Sequence, residues 1–292
     1  MTTISITAIV TAYQRIDQTL RTLQRIKACQ PQPNQILVHV DANQKCSEEA
    51  VRNAFPDIQI LRSEVCVGPG GGRNKLIAAS KNEYIASFDD DSYPMDVEYF
   101  ARALTLFERF PNASILDAAV YHQGQVIHSD TQTVEWVSDF AGGACVYRRS
   151  AFQKTGGYVP LPIAYGMEEV DCALRLHAMG GRILRTSWLR VFHDTDLKRH
   201  ADPEVTAGSI ANLALLAYLR YPRSLWVIGV GQCIKRICWL VRNGRSHGIL
   251  TGIMRIPFHL RSHRTYRRRI ESKFVRSYLA LRRDPIPQNY DA

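Results

Sequence analysis

The sequence has no C-x-x-C pair, although it contains seven cysteines (Cys29, Cys46, Cys66, Cys145, Cys172, Cys233, Cys238). An odd, scattered set lying mostly in apolar runs reads as small core residues. It excludes a zinc ribbon and a disulfide framework, and it points to a reducing cytosol. Missing too is a run of the ~18 apolar residues that a membrane span requires. The nearest, Leu225 to Val241, is interrupted by Gln232, Lys235 and Arg236. Met1-Thr2-Thr3-Ile4-Ser5 lacks the basic segment and apolar core of a secretory signal. The one glycine-rich stretch, Val67-Gly68-Pro69-Gly70-Gly71-Gly72-Arg73-Asn74-Lys75, fits neither G-x-x-x-x-G-K-[ST] nor G-x-G-x-x-G, so neither the P-loop nor the Rossmann fingerprint applies.

Acidic residues are scarce in the rear of the chain. Residues 200–292 hold 16 Lys+Arg against 5 Asp+Glu, whereas residues 1–199 hold 21 against 22. A near-neutral front and a basic rear suggest two jobs, the second a meeting with a nucleic acid or an anionic membrane surface. Hydrophobic residues at 46% and charged residues at 22% are ordinary for a globular chain of one large or two smaller domains.

What is present begins with Phe88-Asp89-Asp90-Asp91-Ser92-Tyr93-Pro94, which follows the apolar run Tyr84 to Phe88. Three carboxylates at the end of a buried strand repel one another unless something positive neutralises them. Hard oxygen ligands suit Mg²⁺ or Mn²⁺, although a solvated acidic turn has the same composition. Upstream, Ile4–Val10, Gln35–Val40 and Ile58–Leu61 read as strands. The stripe Ile16, Leu20, Leu23, Ile26 reads as a helix, and a shorter helix near Ser47–Ala54 has Ser47 as its expected N-cap. Alternating strands and helices predict a parallel sheet of βαβ units, with Thr11, Asp41 and Asp89 along its carboxyl edge, where ligands bind. The glycine stretch reads as a flexible loop or as an anion site opening a helix that ends near Ser80.

Downstream, an amphipathic helix is expected within Met95–Phe110 and strands over Ser114–Tyr121, Val134–Val137 and Ala144–Tyr147, with a polar hairpin or loop over Gly124–Thr133. Gly142-Gly143 would leave room for a ligand. Glu168, Glu169 and Asp171 fall in the first turn of a helix, where acids suit the dipole. One glutamate of the pair is also a candidate general base. Arg182–Leu184 and Leu189–Phe192 read as strands. His193, at the end of the second, is a structural histidine or a third metal ligand beside the triplet. In the rear, Ile210–Ala217, Leu225–Val241, Ile253–Leu260 around Pro257, and Ile270–Leu281 are apolar stripes among many arginines. Such basic amphipathic helices suit an anionic membrane interface or a charged helical cap. No nucleic-acid-binding module is recognised.

The order Thr11-Ala12-Tyr13, Asp41, Arg73-Asn74, Asp89-Asp90-Asp91-Ser92-Tyr93-Pro94, Gly142-Gly143, Gly156-Gly157-Tyr158, Glu168-Glu169-Val170-Asp171 with Arg175, then His193 resembles the inverting glycosyltransferases of family 2. The match covers about residues 4–195. The Asp-x-Asp-Ser-x-Pro form is similar to rhamnosyl-type members. The resemblance implies an α/β GT-A fold, a Rossmann-like and mostly parallel sheet flanked by helices. It places the catalytic domain at 1–199 and a basic helical region at 200–292. It implies a nucleotide-diphosphate sugar donor held by Thr11, Ala12, Tyr13, Asp41, Gly72, Arg73, Asp89 and Asp90. A Mn²⁺ or Mg²⁺ would be held by Asp91, Asp89 and His193. The family base sits at the second acid of a Glu-Asp pair, here Glu169, with Glu168 and Asp171 as alternatives. The expected acceptor is a saccharide or lipid-linked saccharide, in cell-surface or exopolysaccharide synthesis. The expected place is the cytoplasm, with residues 225–283 able to meet the inner face of the membrane and no nucleic acid as partner. The rival readings are a nucleotidyltransferase and a non-catalytic binder of anionic membranes or nucleic acids.

Overall fold

The computed structural model describes residues 3–42, 44–125, 132–163, 167–194 and 202–289. The front half alternates strand and helix as its periodicity requires: β1 (Thr3–Ala12), α1 (Ile16–Lys27), β2 (Gln32–Val40), α2 (Lys45–Ala54), β3 (Gln59–Arg62), α3 (Gly68–Ala79) and β4 (Tyr84–Asp89). Then come β5 (Ser92–Pro94), α4 (Tyr99–Arg109), β6 (Ala113–Tyr121), β7 (Val134–Val137), β8 (Ala144–Arg148), α5 (Arg149–Lys154), α6 (Glu168–Ala178) and β9 (Arg182–His193). The rear is α7 (Pro203–Arg220), α8 (Trp226–Arg242), α9 (Ile249–Ser262), α10 (Ser272–Arg283) and β10 (Ile286–Gln288).

One sheet runs β10-β7-β9-β6-β8-β4-β1-β2-β3, with β5 paired to β9. The β4-β1-β2-β3 half is parallel, as expected of βαβ units. The other half is mixed: β8 runs antiparallel between β4 and β6, and β9 is parallel to β6 but antiparallel to β7 and β5. Arg182–Leu184 and Leu189–Phe192 are thus one long strand. Its register against β6 shifts between Ala118 and Ala119. The sheet is buried on both faces. Ile6, Val10, Phe88, Phe100 and Leu116 pack on one side, and Ile9, Leu76, Ile85, Tyr147 and Leu174 on the other.

Local differences from the sequence reading have physical causes. The glycine stretch is not a loop but the first two turns of α3. A Cβ at Gly70 would lie 1.6 Å from Glu168 Oε1, and one at Gly72 would lie 2.5 Å from His39 Nδ1. Close packing selects glycine there despite its low helix propensity. Ser47 does not cap α2, which starts two residues earlier after Gln44. Most of the expected Gly124–Thr133 hairpin lies outside the described residues.

The basic rear is tied to the sheet. β10 pairs with β7. The Tyr278 hydroxyl donates to Asp139, and Arg282 Nε lies 3.0 Å from the same carboxylate. Arg220, at the end of α7, joins the fully buried Asp171 of α6, which also accepts from Arg175. Arg220 reaches the Tyr266 carbonyl as well, at 2.8 Å. The helical stretch Arg223–Arg242 is long and apolar enough by length and composition to cross a membrane, which the broken apolar run had not led one to expect, and only 17% of it is buried.

Removing one member of a buried ion pair leaves the other charge unpaired, at about 3–5 kcal/mol. Arg220→Ala is therefore expected to destabilise the protein by about that amount in urea unfolding followed by circular dichroism. A change below 1 kcal/mol, within the range of exposed pairs, would show that Asp171 is held by Arg175 alone.

Candidate active site

The carboxyl ends of β1, β2 and β4 meet at one place. Thr11 pairs with Asp89 on one side and His39 on the other, and Thr11 Oγ1 donates to Asp89 Oδ1 at 3.2 Å. The loops leaving β1 and β2 carry the two non-glycine residues with positive φ among the described residues, Gln14 (63°) and Ala42 (53°). Left-handed backbone at such residues is uncommon and tends to cluster at functional sites.

The three acids have different surroundings. Asp89 is partly exposed and joined by the Arg73 guanidinium. Asp90 is buried, accepts from the Tyr13 amide at 3.1 Å and is forked by Arg15. Burial pushes Asp90 up to about 7 against the opposing charge of Arg15. Asp91 is also buried and meets Arg15 through Oδ2. Pairing of β5 with β9 sets His193 opposite Ser92, so His193 Nε2 stands 3.2 Å from Asp91 Oδ1. Burial alone would raise Asp91, but His193 and Arg15 outweigh it and hold the carboxylate below its usual range. His122 Nδ1 donates to the His193 carbonyl at 3.0 Å, and the two rings lie 5.5 Å apart.

Ligand atoms of Asp89, Asp91 and His193 lie within 4.8 Å of one another, as ligands of a single ion must. Asp91 Oδ1 is buried and makes no aligned hydrogen bond, which leaves a carboxylate lone pair for a cation. The donor set of two carboxylates and one imidazole suits Mn²⁺, and Mg²⁺ less well.

A cavity of about 800 Å³ opens beside this cluster. Thr11, Ala12, Tyr13, Asp41, Arg73, Asp89 and Asp90 line it, as do Arg15, Cys66, Gly68 and Pro69. Tyr13 stands half exposed at its lip. Several expected contacts are differently placed. Asp41 accepts from the Val67 and Gly68 amides at 3.0 and 2.9 Å, so its carboxylate caps α3. Asp90 anchors the β1–α1 loop through Tyr13 and Arg15 instead of presenting a free carboxylate. Gly72 packs against His39 and is not among the lining residues. Arg73 is wholly buried, donating to Ser87 Oγ and Asp89 from the cavity floor. Gly142 and Gly143 make room for protein groups: Cβ atoms there would fall 2.7 Å from Glu169 Oε1 and 2.2 Å from Asp89 Oδ2.

A second cavity, about 300 Å³, is lined by Val120, Phe140, Gly142, Gly143, His193, Asp89 and Glu169. Asp89 and Glu169 line both cavities. Glu168 lines only the larger. Its oxygens are buried without a hydrogen-bond partner, and burial followed by repulsion from Glu169 raises it well above its usual value. Burial also raises Glu169, opposed by Arg73. Asp171 is withdrawn from the site altogether. It lies one turn along α6 between Arg175 and Arg220, which removes it as a candidate base.

Residues 7–156, half of the chain, match the family described as Glycosyl transferase family 2. The chain belongs to that family. Residues 124–199 of this glycosyltransferase also match the N-terminal domain of galactosyltransferase. Two similar solved structures are glycosyltransferases of GT-A fold. The mannosyltransferase PcManGT of Pyrobaculum calidifontis, in complex with GDP-Man and Mn²⁺, has a TM-score of 0.57 at 13% identity, over 90% of this chain and 73% of that one. GalNAc-T7, with UDP, GalNAc and Mn²⁺, has a TM-score of 0.58 at 13% identity, over 75% of this chain and 48% of that one. No curated protein matches the sequence. Family membership favours glycosyl transfer over the nucleotidyltransferase and non-catalytic readings.

The residue that sequence reasoning missed is Arg15, the cation shared by Asp90 and Asp91. Its one signal was an arginine just beyond the strand that neighbours the acidic one. The cavity wall also includes Asp202 and Glu204, from beyond the motif region.

Glu168 gives a test of its surroundings. Its folded pKa is raised, so the stability gained by burying it uncharged is full below about pH 4.3, the usual value for a glutamate, and is lost as pH rises through the folded pKa. Glu168→Gln cannot ionise. Its loss of unfolding free energy between pH 5.5 and 8.5, read by urea titration, is expected to be smaller than that of the wild type. An identical pH slope would place a counter-charge on Glu168.

Proposed function

We propose that the protein transfers a sugar from a nucleotide-diphosphate sugar to a hydroxyl of a saccharide or lipid-linked saccharide, inverting the anomeric carbon, with Glu169 as general base. The observation that carries this reading is the position of Glu169 at the junction of the two cavities. A donor in the larger cavity and an acceptor in the smaller would present their reacting atoms to one carboxylate. A base there removes the acceptor's proton as the oxygen attacks from the face opposite the leaving diphosphate. Glu168, packed against α3 at Gly70 and lining the larger cavity alone, is the weaker candidate.

Asp89, Asp91 and His193 would hold Mn²⁺ or Mg²⁺. When bound, the ion would supply positive charge to the departing diphosphate, and both similar structures were solved with Mn²⁺. The chain's own cations lie alongside. Arg73, fixed by Ser87 and Asp89, is preorganised to offset developing negative charge without reorganising. Arg15 orders the β1–α1 loop that carries Tyr13, which suits stacking on a base. Scattered free cysteines fit a cytoplasmic location, at the inner face of the membrane where a lipid-linked acceptor would be met. The pathway would be synthesis of cell-surface or exported polysaccharide.

Calorimetry against UDP, GDP, dTDP and CDP, with and without Mn²⁺, tests the donor site. Selective binding of one nucleotide, dependent on Mn²⁺ and lost in Asp91→Ala, is the expected result. If no nucleotide binds with metal present, the acidic cluster is structural and the proposal fails. With the donor base known, Glu169→Gln should lower kcat about 10²–10⁴-fold while leaving nucleotide binding intact. A base acts only when ionised, and burial raises Glu169. Activity should therefore fall with decreasing pH at a higher pH than a solvated glutamate, near 4.3, would give. That acid limb should vanish from the residual rate of Glu169→Gln. If the variant keeps full turnover, Glu169 is not the base.

A further inference from the structure

The large exposed apolar side chains are concentrated on two helices. On α8, Val227, Val230, Ile234 and Val241 point outward at helical spacing, and on α9 Leu250, Ile253, Met254 and Phe258 do the same. Val227 and Phe258 are each about three-quarters exposed, at 75% and 76%. The opposite faces of both helices are seated on α7. A Cβ on Gly229 would lie 2.4 Å from the Ala217 Cβ, Arg236 Nε donates to Ser209 Oγ at 3.3 Å, and Leu240 is buried. On α9, a Cβ on Gly252 would lie 2.8 Å from the Ala207 carbonyl oxygen, and His259 Nε2 is 2.9 Å from Asn212 Oδ1. Each helix is therefore apolar on its packed side and apolar again on its bare side, an arrangement that water alone does not explain.

Charge decides what covers the bare side. Between Glu204 and Glu271 the sequence carries twelve Lys and Arg residues and no Asp or Glu. Arginines on α8 and beyond it stack on the two tryptophans of α8. Arg236 and Arg245 lie 4.8 and 5.7 Å from the Trp239 ring, and Arg267 lies 5.8 Å from Trp226. A bare apolar stripe with tryptophan and arginine around it is the composition of an interfacial helix. A second copy of the chain fits poorly, since a two-fold interface sets the same patch against itself and here would oppose like charges.

We infer that the outer faces of α8 and α9 rest in the surface of a bilayer containing anionic phospholipid. The helices lie in the interface and do not span it, because α7 occupies one side of each. This deepens the proposed function and rests on it for purpose: a lipid-linked acceptor would be met beside the cavity. Arg255 of α9 holds Glu204 through two contacts of 2.7 and 2.9 Å, and Glu204 lines the larger cavity. The α10 stripe, by contrast, is not part of this surface, since Val275 and Tyr278 are buried against the catalytic core.

The test is flotation of the full chain with vesicles of phosphatidylglycerol and phosphatidylcholine in equal parts, against phosphatidylcholine alone. Each Lys or Arg near an anionic surface contributes about 1 kcal/mol, so binding to the anionic vesicles should be at least tenfold stronger and should weaken with salt. Val230→Glu with Ile234→Glu, and separately Met254→Glu with Phe258→Glu, should each lower it about tenfold or more. An alkaline carbonate wash should release the bound protein. All four substitutions lie outside the cavities, so nucleotide binding by calorimetry should be unchanged, which also shows that the variants fold. The inference is overturned if wild type stays unbound to anionic vesicles, or if either pair of glutamates floats as wild type does. It is equally overturned if carbonate fails to release the chain, which would make α8 a span, or if sedimentation shows a dimer that the glutamates split. Flotation without any nucleotide binding would sink the proposed transferase activity and leave the membrane face standing.

Discussion

Three carboxylates crowded at the end of β4 are the constraint around which the front of the protein is built. Two like charges 4 Å apart repel by about 4 kcal/mol at the effective dielectric of a protein surface. Three such pairs would rival the whole net stability of a domain, about 5–15 kcal/mol. The fold answers with two arginines and a histidine set among the three acids. Asp89 has Arg73, from the glycine-rich first turns of α3. Asp90 has Arg15, from the loop after β1. Asp91 has Arg15 and His193, the latter delivered by a strand from the far half of the sheet. Neutralisation of the triplet thus requires that α3 sit close, that the β1–α1 loop turn through the strained Gln14, and that β5 pair with β9. A divalent ion held by Asp89, Asp91 and His193 would add positive charge to a site where two arginines already oppose three acids.

The parts of this arrangement that could be read from the sequence are local. β-branched runs ending in Thr11, Asp41 and Asp89, separated by helical stripes, fix the parallel half of the sheet and put those residues on one edge. Which strand lies beside β4 on the other side has no such signature, because antiparallel insertion of β8 between β4 and β6 is a long-range pairing. Proximity of His193 to Asp91 could be supposed only from composition and likeness; the β5–β9 pairing that produces it leaves no periodic trace. The glycine stretch misled for a physical reason. Glycine is a poor helix former, so a run of it reads as a loop, yet here absent side chains let α3 approach Glu168 and His39. Asp41 and Asp90 line the larger cavity, but the backbone amides and arginine that occupy them come from segments whose approach the sequence does not encode locally.

Glu168 and Glu169 show how much environment adds to residue type. Adjacent positions on a helix point about 100° apart, enough to seal one carboxyl against Gly70 and open the other to both cavities. Both are raised by burial. Of the two, only Glu169 borders both cavities, and Arg73 opposes its rise. Glu168 contributes shape to the wall of the larger cavity. Paired acids driven apart in role by surroundings are a recurrent way to obtain a base near an anionic leaving group without doubling the negative charge.

The rear of the chain bears on this chemistry through α7. Its first turn supplies Glu204 to the wall of the larger cavity. Its last residue, Arg220, holds Asp171, one turn along α6 from the two glutamates. Its flanks bear α8 and α9, whose outer faces are bare and apolar. α7 therefore joins those faces to the wall of the larger cavity at one end and to the buried Asp171 pair at the other. Arg220 is buried with its guanidinium shared among Asp171 and two carbonyls, so α7 cannot slide without unpairing a buried charge. The helix pair is thus tied to the cavity wall through α7, so whatever surface the helices rest on would set the orientation in which a lipid-linked acceptor approaches.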